Sequence, residues 1–378
     1  MSEQDPPQEF SGIRMGRPFG IPVYVSWTWF IVAAVITWMY AEAVRTQLPG
    51  IDTVVSYVVA FVFAVLLYVS VLLHELAHSV AAKMYGLRVR RITLYLLGGV
   101  SEIESEPKSP GREFVIAAVG PLLSLGLAGL GLGLDWLLFN EGGIAEVLVR
   151  MLWFANLIVG VFNLLPGLPL DGGRMLRAGV WKASGDASTA TVVAAWVGRG
   201  LAVLLVLGPF LLSVMSGQPL DERNMIWSFI LGAFIWMGAS QSLRVAKVRA
   251  RIPQVDARAL ARRAVPVTPD VPLSEALRKA AEQGAGAVVV TDYEGRPTAI
   301  VHEASVQATP EHRRPWLTAG SVARTLEPEM VLPADLTGEA LIEAMRRTPA
   351  AEYLLVERGG EIYGVLATSD VNRVFSGV

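Results

Sequence analysis

Residues 66–78 read Leu66-Leu67-Tyr68-Val69-Ser70-Val71-Leu72-Leu73-His74-Glu75-Leu76-Ala77-His78. An apolar run that begins near Thr53 ends here in two imidazoles and a carboxylate. About 20 apolar residues span a bilayer as a helix, so residues 53–74 predict a membrane span. On a helix, positions four apart share a face. His74 and His78 can then reach one metal ion, and Glu75 can reach a water beside it, the logic of the H-E-x-x-H pattern. Ionisable groups at membrane depth cost several kcal/mol unless paired or bound, which favours a functional over a structural reading.

The rest of the chain fits a membrane setting. Of its 378 residues, 53% are hydrophobic and 17% charged. Soluble domains carry nearer a quarter charged residues. Mean hydropathy is +0.46. The net charge of −2 gives no sign of a nucleic-acid partner. There is no Cys, so disulfides, thiolate chemistry and Cys-held zinc are excluded. Residues 1–21 are polar and lack the short apolar core of a cleaved signal peptide.

Six spans are predicted, at residues 22–42, 53–74, 114–139, 147–170, 191–216 and 225–243. Alternate loops gather Arg14 and Arg17, then Lys83 to Arg112, then Arg174, Arg177 and Lys182, then Arg244 to Arg251. The opposite loops hold only Arg45, Arg150 and Arg223. The positive-inside bias puts the N-terminus and the C-terminal region in the cytoplasm. Asp171, after the fourth span, comes to the same side as His74 and His78 and is the candidate third ligand. The alternative is a plain Asp-Gly-Gly turn. Pro166 and Pro169 just before it open the helix and favour the ligand. His302 and His312 lie in the polar C-terminal region and are poor ligand candidates.

Residues 87–111 predict a β-hairpin or small sheet, with a strand over Arg90–Leu97, a break at Gly98-Gly99 and alternation over Val100–Glu104. The stretch Thr93–Leu97 is expected to offer an edge on which an unwound substrate adds as a strand. Residues 244–263 read as a linker. Residues 264–378 hold a repeat offset by 64 to 65 residues, each copy alternating helix and strand, which predicts a small α/β module.

Together, His74–His78, Gly98-Gly99, Gly120-Pro121 and Asn163 to Gly173 resemble the site-2 protease family of intramembrane metalloproteases over residues 12–240. The repeat is similar to a pair of cystathionine-β-synthase-type (CBS) domains, and the combination resembles a bacterial subgroup with six spans and a C-terminal CBS pair. No PDZ insertion is visible. The resemblance implies one zinc ion per chain on His74, His78 and Asp171, with Glu75 as general base. It implies cleavage of single-span membrane proteins, such as an anti-sigma factor or another membrane-tethered transcription regulator. Asn163, Gly98 and Gly99 are expected on the substrate side. CBS pairs commonly bind adenine nucleotides and assemble as dimers, so Asp370 is the candidate ribose partner and a homodimer is expected. Ala367 stands where a hydroxyl residue would serve the phosphates, which leaves a docking or dimerisation module as the alternative. Two rival readings, a catalytically silent scaffold and a CBS-gated transporter, lack support: the ligand set is intact, and the membrane half shows no repeat.

Overall fold

The computed structural model describes residues 12–95, 98–138 and 142–376. The chain divides into two compact units, Met1–Arg244 and Val245–Val378.

The first unit starts with β1 (Gly12–Gly16) and β2 (Val23–Ser26), then the helical hairpin α1 (Thr28–Gln47) and α2 (Thr53–Met84). Asp52 caps α2, its carboxylate accepting from the backbone N–H groups of Val54 (2.8 Å) and Val55 (3.3 Å). Strands β3 (Val89–Tyr95) and β4 (Gly98–Ile103) follow. After them come α3 (Pro110–Leu138), α4 (Ile144–Asn163), α5 (Asp171–Ser184), α6 (Ala187–Ser216) and α7 (Glu222–Arg251). Among the described residues, α2, α3, α4, α6 and α7 are long and apolar enough to cross a membrane. The 20-residue α1, which carries Glu42 and Arg45, is not among them.

Several expectations change here. The run at 22–42 opens as strand β2 and turns helical only at Thr28. The run at 147–170 is helical only to Asn163, because Pro166 and Pro169 cannot donate to a helical ladder. Asp171 is therefore the first residue of a new helix rather than part of a turn. The hairpin at 87–111 belongs to a four-stranded sheet in the order β1-β2-β3-β4. Strand β3 is paired on both sides, parallel to β2 through Val23↔Ile92 and antiparallel to β4 through Thr93↔Val100. The stretch from Thr93 is thus interior, and the outer strands are β1 and β4. Leu96 and Leu97 lie outside the described residues. Gly98 and Gly99 open β4 instead of breaking the sheet.

The bundle buries small and polar groups on its inner face. Ser70, His74, His78 and Ser79 of α2 are buried, while Leu204, Leu212 and Phe229 on α6 and α7 are exposed. That inversion suits helices whose outer surface meets hydrocarbon.

The second unit contains α8 (Ala257–Leu260), β5 (Arg262–Val267), α9 (Leu273–Glu282), β6 (Ala287–Thr291), β7 (Pro297–Val301) and α10 (Glu303–Ala308). It continues with β8 (Ala323–Thr325), β9 (Val331–Pro333), α11 (Gly338–Arg347), β10 (Glu352–Val356), β11 (Ile362–Ala367) and α12 (Thr368–Ser376). The strands form one sheet in the order β8-β7-β6-β5-β11-β10-β9. Each copy of the repeat builds one side of it: Val265, Leu273 and Val290 pack in one core, and Leu341, Leu355 and Leu366 in the other. The fold class expected from the sequence, a helical membrane unit with a small sheet followed by a CBS-type unit, is the one observed.

Candidate metal centre

Two helices and a loop bring three ligand atoms together. His74 Nε2 lies 3.1 Å from Asp171 Oδ2, His78 Nε2 lies 3.2 Å from the same oxygen, and the two nitrogens are 3.1 Å apart. Both imidazoles are buried. A tetrahedral zinc ion holds nitrogen and oxygen ligands at about 2.0–2.2 Å, which separates them by roughly 3.3 Å. The observed triangle fits that spacing.

The chemistry of the donors agrees. The other nitrogen of each ring is already engaged. His78 Nδ1 donates to the backbone oxygen of Ile116 (2.6 Å), and His74 Nδ1 bonds Ser124 Oγ (2.9 Å). A neutral His78 that donates through Nδ1 presents a bare lone pair at Nε2. That lone pair faces a second imidazole and a carboxylate, so an added proton or a metal ion must offset their repulsion. Metal-bound imidazoles characteristically donate their second N–H in this way.

Close packing sets the positions. Helix α3 passes over the imidazoles at Gly120, where a Cβ would stand 2.2 Å from His78 Nε2 and 2.8 Å from His74 Nε2. Any larger residue would occupy the space between them. Asp171 is brought in by a tightly folded loop. A Cβ on Gly172 would meet Leu164 O at 2.2 Å, and one on Gly173 would meet the carbonyl carbon of Gly167 at 2.2 Å.

Glu75 sits beside the triangle and is tied to the sheet. Ser101 of β4 donates to Glu75 Oε2 (2.8 Å), and Ser79, one turn further along α2, donates to Ser101 Oγ (3.0 Å). Gly99 is pressed against the same side chain, a Cβ there falling 2.3 Å from Glu75 Cγ. Gly98 has φ of 142°, a conformation that suits glycine.

The structure thus joins His74, His78 and Asp171 and places Glu75 and Gly99 next to them. Asn163 ends α4 and turns its amide back to Val159 O (3.1 Å). Asn156 bonds Ser70 of α2 (3.2 Å), an interhelical link one turn before His74. His302 pairs with Glu352 (3.1 Å), and His312 is exposed. Asp370 bonds Arg262 (3.1 Å). Ser79, Ser101, Ile116 and Ser124 were not singled out by the sequence, since one hydroxyl or backbone carbonyl carries no pattern. Gly120 stood out only as half of Gly120-Pro121.

The chain is similar to known proteins in both of its units. The model for peptidase family M50 matches residues 62–141 and 137–207, and the model for the CBS domain matches residues 257–307. The chain is 31% identical over 370 residues to "Putative zinc metalloprotease Rip3" of Mycobacterium tuberculosis, covering 96% of this chain and 92% of that one. It is 28% identical over 365 residues to "Zinc metalloprotease MJ0392" of Methanocaldococcus jannaschii, covering 96% of each. Among solved structures, a site-2 protease from Methanocaldococcus jannaschii matches at 29% identity and a TM-score of 0.41, covering 61% of this chain and 95% of that one.

Proposed function

The chain belongs to peptidase family M50, and from that premise we propose that this membrane metalloprotease cuts single-span membrane proteins within or near their transmembrane segments, as a step in regulated intramembrane proteolysis. The observation that carries the reading is the triangle of His74 Nε2, His78 Nε2 and Asp171 Oδ2 at 3.1–3.2 Å, with both Nδ1 atoms engaged elsewhere. These three residues would hold one zinc ion per chain. When bound, zinc polarises the scissile carbonyl and lowers the pKa of a water to about 7.

Glu75 acts as the general base. Ser101 occupies its Oε2, which leaves Oε1 to take a proton from the attacking water. As the water oxygen bonds to the carbonyl carbon and the C–N bond breaks, Glu75 passes that proton to the leaving nitrogen. A helical substrate hides its peptide bonds in its own ladder and must be extended first. The outer strand β4 offers backbone groups to an extended peptide, with Gly98 and Gly99 at its start. Asn163 is assigned to the substrate side of the same region.

The positive-inside bias is the ground for a cytoplasmic N-terminus and a cytoplasmic 245–378 unit. Strand β2 pairs with β3, so the segment before α1 and the segment after α2 lie at one end of that helical hairpin. The basic residues also gather there. His74 lies about 32 Å along α2 from Thr53 at 1.5 Å per residue, close to the far face of a hydrocarbon layer about 30 Å thick. Cleavage is therefore expected toward the cytoplasmic side. The 245–378 unit is assigned to regulation and to pairing of two chains; Asp370, the expected ribose partner, is already held by Arg262.

Purified protein with Glu75→Gln tests the reading. It should retain about one zinc per chain, and uncut single-span proteins should accumulate with it in membranes. Full proteolysis by this variant would contradict the role of Glu75, and absence of zinc from folded protein would contradict the site.

A further inference from the structure

Behind the metal centre lies a buried ion pair that the chemistry above does not use. Arg177 of α5 donates from Nη1 to Glu113 Oε1 of α3 (2.7 Å) and from Nη2 to Glu106 Oε2 (3.0 Å). Glu113 is 0% exposed, and the Arg177 side chain is 12% exposed. Burying such a pair costs several kcal/mol of desolvation, and the net gain in stability is often nil. Satisfaction is also incomplete. Glu113 Oε2 and Arg177 Nε are buried without a hydrogen-bond partner among the described residues. The pair is therefore better explained by what it fixes than by stability.

The spacing on α3 shows what that is. Glu113, Ile116, Gly120 and Ser124 stand at i, i+3, i+7 and i+11, which is a single stripe of a helix. Ser124 bonds the His74 ring, Gly120 clears the space for both rings, and the Ile116 carbonyl takes the His78 N–H. The fourth member, Glu113, reaches instead to α5, whose first residue is Asp171. One face of α3 thus contacts both imidazoles and, through Glu113, the helix that carries the third ligand. Asp171 and Arg177 are six residues apart, about 9 Å along α5. Metal ligands must be placed to within about 0.2 Å. A slide of α5 along α3 by a fraction of a turn would break the triangle.

We infer that Glu113 and Arg177 are positioning residues: their ion pair fixes the register of α5 against α3 and so holds Asp171 at ligating distance from His74 and His78. This rests on the reading of the three residues as a metal site.

The test uses the full chain in detergent. Zinc affinity is measured by chelator competition, and geometry by the visible absorption of the cobalt(II)-exchanged protein. Glu113→Gln and Arg177→Met should each weaken zinc by about 10–100-fold, the range for residues that support metal ligands indirectly. Their cobalt bands should lose the intensity of a four-coordinate site. The double variant should be no worse than the singles, and Arg177→Lys should recover part of the affinity. Arg150→Met removes a more exposed arginine ion pair at the other end of α3, where Arg150 meets Asp135 (3.2 Å) and Glu146 (2.5 Å), and should leave zinc and cobalt unchanged. Unaltered affinity and spectrum in Glu113→Gln and Arg177→Met would overturn the inference, as would an equal loss in Arg150→Met. Asp171→Ala separates the two levels. If it also leaves zinc in place, the metal-site reading falls and the positioning role with it. If it releases zinc while the pair variants keep theirs, only the positioning role falls.

Discussion

The two units each contain a cluster of ionisable side chains, and the clusters differ in charge balance. In the first, two imidazole nitrogens and a carboxylate oxygen converge, and among the described residues no lysine or arginine bonds them. In the second, the Asp370 carboxylate is met by Arg262 and by Arg373 (3.4 Å), and Arg262 also holds Glu303. The first set is electrostatically open and calls for an added cation. The second is closed by its own arginines. A nucleotide ribose approaching Asp370 would first have to displace Arg262. Similar residue types thus serve opposite ends, and the balance of donors against acceptors separates them.

The largest effect that would break this contrast is removal of a ligand. His78→Ala or Asp171→Ala should reduce bound zinc from about one per chain to background, measured by elemental analysis, and abolish proteolysis, since a catalytic site needs three protein ligands. Glu75→Gln should come next. It leaves the open set intact, so zinc stays, while turnover of a membrane-inserted substrate falls by about 10²–10⁴-fold. Gly120→Ala should act on the metal itself, because its methyl group would lie between the two Nε2 atoms. Zinc affinity should drop by at least about tenfold, the equivalent of about 1.4 kcal/mol, while circular dichroism shows no loss of helix. The smallest effect belongs to the closed cluster. Adenosine monophosphate titrated calorimetrically should bind the intact chain no more tightly than about 1 mM, and Arg262→Ala should tighten it by a few-fold. Micromolar binding by the unaltered chain would erase the distinction.

Some of this was legible in the sequence for identifiable reasons. His74, Glu75 and His78 are local, and helical periodicity alone places them together. Asp171 followed from chain sidedness and the proline pair. The repeat in residues 264–378 was visible because each copy reproduces its strands at a fixed offset. The pairing of β2 with β3 was not legible, because Val23–Ser26 is continuous with an apolar run and its partner lies about 70 residues downstream. The wrong edge strand followed from that miss. The groups that hold the ligands were hidden for another reason. A backbone carbonyl at Ile116 and hydroxyls at Ser124 and Ser101 acquire meaning only when three helices and a sheet converge on them.

The separation of the ligands along the chain sets an order of events in biosynthesis. Asp171 follows His74 by 97 residues and His78 by 93. At about 5–20 residues per second, both imidazoles are synthesised some 5–20 s before the carboxylate that completes the triangle. During that interval α3 and α4 are still being made, and the nascent chain offers only a two-nitrogen site. With the three residues as the proposed ligands, tight metal capture would be a late event, coupled to the arrival of α5 and not to the appearance of the His-Glu-x-x-His segment. A pulse-labelled chain truncated before Leu170 should insert its first helices and yet fail to retain zinc.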